Sequence, residues 1–179
     1  WLLEIKPDID ISSDDEEPFC NACENGHLDI AKWLLEIKSD IDISNNHFAI
    51  SFRLACENGH LDVTKWLLEI KPDIDISYFS ASNENLFCMV CLYGRLDVAK
   101  LLLEVKPDID VLEENEESKE DYEWVFTNAC EEGHLDVVKW LYELKPDINI
   151  SMDNELPFRY ACQEGHLDVA KWLLEIKPN

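Results

Sequence analysis

Hydrophobic and polar positions along the chain follow one block that recurs five times. The segment ENGHLDIAKWLLEIKSDIDIS, from Glu24 to Ser44, returns as ENGHLDVTKWLLEIKPDIDIS from Glu57 to Ser77 and, more changed, three further times. Within the block, apolar side chains recur every three or four positions, which is the period of an amphipathic α-helix. Such recurrence predicts a repeat architecture, in which each unit buries its apolar faces only by stacking against neighbouring units.

The glycines give the length of the repeat and separate its constant part from its variable part. A phenylalanine lies seven residues before each glycine and a lysine lies twelve residues after it, whereas the glycines themselves are 33, 35, 39 and 32 residues apart. Every insertion therefore falls between the lysine and the next phenylalanine. Constant intervals predict packed helices and variable ones predict exposed loops, so the unit is helix, turn, helix and loop. The five glycines are Gly26, Gly59, Gly94, Gly133 and Gly165.

The first helix of each unit carries one aromatic and two small residues on a single face. Phe19, Ala22 and Cys23 are spaced i, i+3 and i+4, and the same trio recurs in every unit with Val90 in place of alanine in the third. Five of the seven cysteines thereby occupy one repeated core position, where we expect a neighbouring helix to approach closely. The glycine that follows is expected to adopt the left-handed conformation that ends the helix.

The second helix has a continuous apolar stripe. Leu28, Ala31, Leu34 and Leu35 form this stripe in the first unit, with Trp33 beside it. The Asp-Ile-Asp-Ile segment beyond the lysine alternates with the period of an extended chain. A proline directly after the lysine forbids continuation of the helix, as at Pro72, Pro107 and Pro146.

A helix–turn–helix unit of about 33 residues with an extended finger resembles the ankyrin repeat. The segment GHLDVAKWLL, from Gly165 to Leu174, is similar to the second-helix motif of that family, and the residues Pro157 to Ala161 overlie its Thr-Pro-Leu-His-x-Ala. The resemblance covers essentially the whole chain and implies an all-α solenoid of stacked antiparallel helix pairs with extended fingers. It implies one array over residues 1–179, in which 1–12 are the remnant of a preceding repeat and the repeats are 13–44, 45–77, 78–112, 113–151 and 152–179.

The resemblance also carries expectations about function. Proteins of this family usually contact partner proteins through the fingers and the exposed positions of the first helices, so we expect a protein–protein interaction module with no cofactor, monomeric and without an enzymatic activity. The block is similar in wording to divergent ankyrin proteins of giant DNA viruses, which implies an intracellular, cytoplasmic location in a host cell. The alternative is the substrate-targeting arm of a longer ubiquitin-ligase adaptor or other enzyme chain, because Trp1 is not an initiator residue and a fragment is expected. A tetratricopeptide array lacks this extended segment and this glycine placement.

The third unit departs from the others where a partner would bind. The two residues before the glycine are polar in the other units and are leucine and tyrosine here, and the fingers on either side of the second unit add further aromatic residues. Aromatic anchors within a polar rim are typical of a binding hot spot. The alternative is that the third unit tucks these side chains into its own core. The candidate partner-binding residues are His47, Phe48, Tyr78, Phe79, Leu92 and Tyr93.

The charge of the chain narrows the class of partner. The formal net charge is −24, with 39 acidic against 15 basic residues, and this balance repels both nucleic acid and an anionic membrane surface. A basic protein partner and simple solubility both remain consistent with the excess of acids. The segment 113–123 holds seven acids and one lysine, so we expect a mobile, solvated loop or, alternatively, an acidic segment that attracts a basic partner.

No residue pattern indicates catalysis or a metal site. The pairs Cys20-x-x-Cys23 and Cys88-x-x-Cys91 are spaced like the halves of a zinc site, but they are 68 positions apart, where zinc ribbons use roughly 15 to 20. One cysteine of each pair also belongs to the repeated core position, which argues against a redox pair as well. Four of the five histidines follow the repeat glycine and are therefore predicted to be structural. The acids that begin at Asp8 lack the glycine and glutamate that a calcium loop needs at its sixth and twelfth positions.

Overall fold

Each constant block of the sequence folds as a pair of helices joined by a turn of three residues, or of two in the last pair. The computed structural model describes residues 13–37, 46–74, 85–107 and 116–177, and within these ranges the chain forms five helix pairs and no β-strand. Two compact units divide the chain, one over Trp1–Asp75 and the other over Ile76–Asn179. The predicted remnant at 1–12 lies outside the described ranges, as do the predicted boundaries near residues 44, 77 and 112.

The first unit of the fold contains two helix pairs and the second contains three. The helices of the first unit are α1 (Ser13–Glu24), α2 (Leu28–Ile37), α3 (Asn46–Glu57) and α4 (Leu61–Ile70). Those of the second unit are α5 (Leu86–Leu92), α6 (Leu96–Val105), α7 (Glu116–Glu131), α8 (Leu135–Leu144), α9 (Met152–Glu164) and α10 (Leu167–Ile176).

The turn between the helices of a pair depends on its glycine. Gly94 has a φ of +69°, its N–H donates to the carbonyl of Cys91 at 3.0 Å, and the N–H of Arg95 donates to the carbonyl of Val90 at 2.8 Å. These bonds satisfy carbonyls that the end of α5 would otherwise leave without partners. A Cβ atom on Gly94 would also lie 2.6 Å from Nδ1 of His134, the N-cap residue of α8 in the following pair. The left-handed helix end is confirmed, and the glycine additionally admits the histidine of the next repeat.

The predicted core trio is fully buried in every repeat except the last. Phenylalanine, alanine or valine, and cysteine are all buried in the first helices α1, α3, α5 and α7. In α9 only Ala161 of the trio is buried, while Phe158 is half-buried and Cys162 is exposed. The burial of the trio therefore depends on the stacking of first helices as well as on the helix pair itself.

In the first unit, the contacts between repeats run through aromatic rings. Helices α1 and α3 pack against each other, and Phe19 stacks on Phe48 with the ring centroids 6.1 Å apart. Trp66 of α4 lies tilted on the same Phe19 ring at 6.3 Å, and the Nζ atom of Lys32 lies 6.0 Å from the centroid of the Trp66 ring. One tryptophan thus joins the second helix of a repeat to both helices of the preceding one.

The second unit has two junctions between repeats, and a tryptophan contacts a ring of the preceding repeat at each. Helix α7 packs against both α5 and α9, and α8 packs against α10. Trp140 lies tilted on Phe87 at 5.9 Å, and Trp172 meets the edge of Tyr142 at 5.5 Å. Successive helix pairs are therefore stacked in register inside each unit, as the repeat predicted.

The acidic segment before the fourth repeat is helical, and the prediction of a mobile loop is wrong from Glu116 to Glu123. Helix α7 begins at Glu116 and is four residues longer than α1 or α3. Tyr122 holds the acidic segment on the repeat, because its buried hydroxyl donates to the carbonyl of Leu141 at 2.5 Å and Nζ of Lys145 lies 4.9 Å from its ring centroid. Burial raises the pKa of the Tyr122 phenol well above its usual range. Glutamate and lysine are good helix formers, so the extension has no local cost in propensity.

The fingers begin with a turn where the structure describes them. The N–H of Ile74 donates to the carbonyl of Lys71 at 3.2 Å, and the N–H of Ile148 donates to the carbonyl of Lys145 at the same distance. Ile74 and Ile150 are buried. The isoleucines of this segment therefore anchor the start of the finger on the helix pair, while the remaining Asp-Ile-Asp-Ile segments lie largely outside the described residues.

Replacing Gly94 and Gly165 separately with alanine tests the role of the close approach. Both glycines have positive φ, so each substitution should cost about 1 to 2 kcal/mol of unfolding free energy. A Cβ on Gly165 meets no atom within 4 Å, whereas one on Gly94 meets His134. Gly94→Ala should therefore cost a further ~1 to 3 kcal/mol. Urea denaturation measures both, and equal losses would contradict the stacking of histidine on glycine.

Replacing Tyr122 with phenylalanine tests the hydrogen bond that holds the acidic segment on the repeat. The variant keeps the buried ring and loses the hydrogen bond to Leu141, so the unfolding free energy should fall by about 0.5 to 1.5 kcal/mol. The Leu141 carbonyl keeps a second donor, the N–H of Lys145 at 3.0 Å, which limits the loss. An unchanged denaturation midpoint would show that the hydroxyl does not contribute to stability.

Candidate partner-binding surface

The first helices present one row of side chains away from the core. The positions nine, five and one residue before the glycine lie on one helix face, because they are spaced by four, and in the first repeat Glu17, Asn21 and Asn25 are all exposed there. The buried trio occupies the opposite face. This row is therefore the part of each first helix that stacking leaves open to a partner.

The third repeat places apolar side chains on this row. Tyr93 follows α5 and is 41% exposed, whereas Leu92, two residues before the glycine, lies beside the row and is half-buried. Met89 lies one turn earlier on the same face, is half-buried, and accepts a hydrogen bond at its carbonyl from the N–H of Tyr93 at 3.0 Å. The tyrosine predicted for a binding surface thus lies at the surface, while the leucine is only partly accessible.

Trp124 belongs to the same row and was missed in the sequence. It lies in α7, nine residues before Gly133, and is 45% exposed, nearly as much as Tyr93. Because α5 and α7 pack against each other, Trp124 and Tyr93 lie on neighbouring helices of one surface. The difference between repeats is plainest at the two positions directly before each glycine, and Trp124 lies outside them. A comparison of positions two helical turns earlier would have found Trp124, as well as Ile50 at the same position in α3.

The structure removes Phe48 from the predicted surface. Phe48 lies in α3 rather than in a finger, is 1% exposed and stacks on Phe19, so its ring is not accessible to a partner. His47 precedes it in the same helix and is half-buried, and its carbonyl accepts a hydrogen bond from Oγ of Ser51 at 2.9 Å. Helix α3 begins at Asn46, six residues before Phe52, which is the phenylalanine of the repeat pattern. His47 and Phe48 therefore belong to this helix and not to a finger.

The surface that emerges is carried by two neighbouring helices and has one exposed acid, Glu132, at its border. We call Met89, Leu92, Tyr93 and Trp124 the α5–α7 surface. Glu132, directly before Gly133, is exposed at the end of α7. Tyr78 and Phe79, the remaining predicted residues, lie outside the described ranges.

The thiols are placed for packing. No disulfide bond joins any of the seven cysteines. Burial raises the pKa of Cys23 and of Cys56 to about 12, and it raises the pKa of Cys91 and Cys130 as well. A thiol with such a raised pKa is a poor nucleophile at neutral pH, because the thiolate is the reactive form.

The side chains that could hold a metal ion are dispersed along the repeats. Among the described residues, no three or more His, Cys, Asp or Glu side chains are grouped so that they could hold one. No helix of the described ranges is long and apolar enough to cross a bilayer. The histidines at the repeat position contact the glycine of the preceding repeat in three places, which gives them a packing role.

Thiol labelling provides a direct check on this burial pattern. A charged aromatic disulfide added to the folded chain should react fastest with Cys162, which is exposed, and should reach Cys23, Cys56, Cys91 and Cys130 only when the chain unfolds. Mass spectrometry of peptides from briefly labelled protein identifies the site. Rapid labelling of Cys56 or Cys91 in the folded chain would contradict the described core.

Comparisons with known proteins agree with the repeat fold described above. Residues 1–80, 19–115 and 86–179 match the family model described as Ankyrin repeats (3 copies). No curated protein sequence matches the chain. Among solved structures, the chain is similar to the human ASB11 ankyrin repeat domain, with 23% sequence identity and a TM-score of 0.62 over 91% of this chain and 70% of that one. At this identity the likeness shows the fold alone, and the predicted all-α repeat fold is confirmed.

Proposed function

The chain belongs to the ankyrin-repeat family, whose members are generally protein–protein interaction modules, and from that premise we propose that it holds a partner protein on the exposed row of its first helices. The observation that carries the proposal is the α5–α7 surface. Stacking buries the recurring faces of each repeat and leaves this row open, so the row is where one repeat differs from another without loss of stability. Tyr78 and Phe79 of the adjoining finger belong to the proposed site.

The partner is proposed to bring an apolar anchor with basic residues around it. Tyrosine and tryptophan supply large contact areas with few rotatable bonds and are enriched in hot spots. Glu132 and the net charge of −24 supply an acidic surrounding, which attracts lysine and arginine and repels nucleic acid. Affinity then comes mainly from the aromatic contacts, and the association rate comes mainly from the charge.

The proposal includes a place of action, the cytoplasm of a host cell infected by a giant DNA virus. Its support is the wording of the repeated block, which resembles the divergent ankyrin proteins of those viruses. Fluorescence imaging of the tagged chain in host cells tests the location, and an exclusively extracellular or organellar signal would contradict it.

Substitution of the exposed aromatics tests the binding surface. Proteins captured by the immobilised chain are identified by mass spectrometry, and their affinities are then measured against Trp124→Asn and Tyr93→Asn. Each substitution should weaken binding by at least about 30-fold, because removing a hot-spot side chain costs roughly 2 kcal/mol or more. Since both side chains are substantially exposed, the denaturation midpoint should change little.

A matched control separates the surface from general stickiness. Val105→Glu alters a residue as exposed as Trp124 but on the second helix of the third repeat, and it should leave binding unchanged. Raising the salt concentration should slow association if the partner is basic. Full affinity retained by folded Trp124→Asn and Tyr93→Asn would refute the proposed site. Capture of ubiquitin-ligase subunits that ignores these substitutions would favour a targeting arm instead.

A further inference from the structure

One face of α7 carries an aromatic ring, an amide and a carboxylate in a line. Trp124, Asn128 and Glu132 follow one another at intervals of four residues, which places successive Cβ atoms about 5 to 6 Å apart. The N–H of Glu132 donates to the carbonyl of Asn128 at 2.9 Å, so the helical spacing extends to the last of the three. The buried core trio of this repeat lies on the opposite face. We call these three residues the α7 line.

The amide of Asn128 is oriented by the helix itself. Its Nδ2 atom donates to the carbonyl of Trp124 at 2.7 Å, which directs the other amide atom, Oδ1, away from that carbonyl. Among the residues that the structure describes, none donates to this oxygen. An amide oxygen has two lone pairs and can accept hydrogen bonds from a ligand. Asn128 is therefore held as an acceptor beside the tryptophan.

The tryptophan and the glutamate of the α7 line lack contacts that similar residues make elsewhere in the chain. Trp140 packs on a ring of the preceding repeat, whereas Trp124 is 45% exposed and forms no ring–ring or cation–π contact with the described residues. Glu57, near the end of α3, pairs with Arg53 at 2.7 Å. Glu132 is exposed and forms no such ion pair within the described ranges. The ring and the carboxylate are both available to a ligand.

Neighbouring repeats place apolar side chains on both sides of Asn128. Met89 of α5 and Tyr160 of α9 hold the equivalent position, five residues before the glycine, and both are half-buried. Helices α5 and α9 each pack against α7, and packed helices lie about 8 to 10 Å apart. The amide oxygen therefore lies between two apolar side chains, with an aromatic ring at one end of the line and a carboxylate at the other.

The charge around the α7 line is negative. Helix α7 holds six acids and one lysine, and α5 holds no charged residue. In α9, Arg159 holds the position of Thr127 in α7, whose hydroxyl donates to Sδ of Met152 at 3.6 Å, so this position faces the following repeat and not the preceding one. The second helices carry an exposed lysine on the face opposite to their buried residues: Lys100, Lys139 and Lys171. The α7 line thus complements a positive charge.

We infer that the α7 line binds the side chain of an arginine of the partner protein. This inference rests on the proposed function, and it specifies one basic residue that accompanies the apolar anchor on Tyr93. The methylene stem of the arginine packs on the Trp124 ring, and its guanidinium donates to Oδ1 of Asn128 and to the carboxylate of Glu132. A guanidinium is planar, has five donors and stacks on aromatic rings, so it fits a ring followed by two acceptors better than the compact ammonium of lysine does.

Other side chains fit the α7 line less well. An acidic residue or a phosphate group would be repelled by Glu132. An apolar side chain would cover the two acceptors without donating to them, and an acceptor buried without a donor destabilises the complex. The α7 line therefore selects a ligand that is a donor, carries a positive charge and has an apolar stem, which together describe arginine.

Selection of short peptides tests the inference on the full chain. A phage-displayed library of random peptides is depleted on immobilised Trp124→Asn and then selected on the parent chain, and the enriched peptides are synthesised. These peptides should share an arginine. Exchange of that arginine for lysine should weaken binding about 10-fold, the effect of one lost hydrogen bond to a charged group. Exchange for citrulline, which keeps the shape and loses the charge, should weaken binding about 30-fold or more.

A matched pair of variants isolates the acceptor on the protein. Asn58 makes the same local bond as Asn128, from its Nδ2 atom to the carbonyl of Leu54 at 3.0 Å, and it belongs to the other unit. Asn128→Leu should weaken binding of the arginine peptides about 10-fold and reduce their preference over the lysine peptides. Asn58→Leu should leave both quantities unchanged. Because each variant loses the same local bond, their denaturation midpoints should be similar, which shows that the difference in binding does not come from folding.

The outcomes separate this inference from the proposed function. Peptides that require Trp124 and Tyr93 but bind equally well with lysine or norleucine in place of arginine would overturn the inference and leave the proposed function standing. Arginine peptides that bind Asn128→Leu as tightly as the parent chain would do the same. A selection that enriches no peptide sensitive to Trp124→Asn and Tyr93→Asn would overturn both.

Discussion

A pair of short helices has more apolar surface than the two helices can cover for each other. In this chain, the phenylalanine and cysteine of a first helix, and the leucines of a second, become buried only when the next pair packs against them. The last repeat shows this dependence, because Cys162, Leu167 and Leu174 are exposed there while their equivalents in earlier repeats are covered. Stability is therefore a sum over repeats and over the junctions between neighbours, with no single centre.

The same constraint separates the positions that must stay constant from those that are free to change. Glycine is fixed because its φ is positive and because the histidine of the next repeat takes the place of a side chain. The tryptophan of the second helix is present in four of the five repeats, and in three of them it meets a phenylalanine or tyrosine ring of the preceding repeat. The row on the first helices lies outside these contacts, and its residues differ between repeats. One residue before the glycine, Asn25 corresponds to Tyr93, and nine residues before it, Glu17 corresponds to Trp124. Substitutions on this row therefore cost the fold little.

Most of the fold could be predicted from the sequence, because the same core positions recur in five repeats. The positions of the helix pairs, the left-handed glycines and the buried trio all follow from constant spacing. Two errors have a common physical cause. Tyr122 turned an acidic stretch into helix, and Phe48 became core, since each finds a tertiary partner, Leu141 in one case and Phe19 in the other. Phe48 and Tyr122 share one repeat position, eleven residues before Gly59 and Gly133, but the other three repeats have Asp15, Asn83 and Asn154 there, so the recurring core pattern does not mark this position. Trp124 was missed because the repeats were compared only at the two positions directly before each glycine.

The central claim, that each repeat is covered by its successor, can be measured at Cys130. This thiol is fully buried in α7, and α9 packs against that helix. A chain shortened to residues 1–151 lacks α9 and α10, and circular dichroism shows whether its remaining helices form. If successors provide the cover, Cys130 in the shortened chain should be labelled about as fast as Cys162 in the full one. Helices that form while Cys130 stays protected would contradict the account.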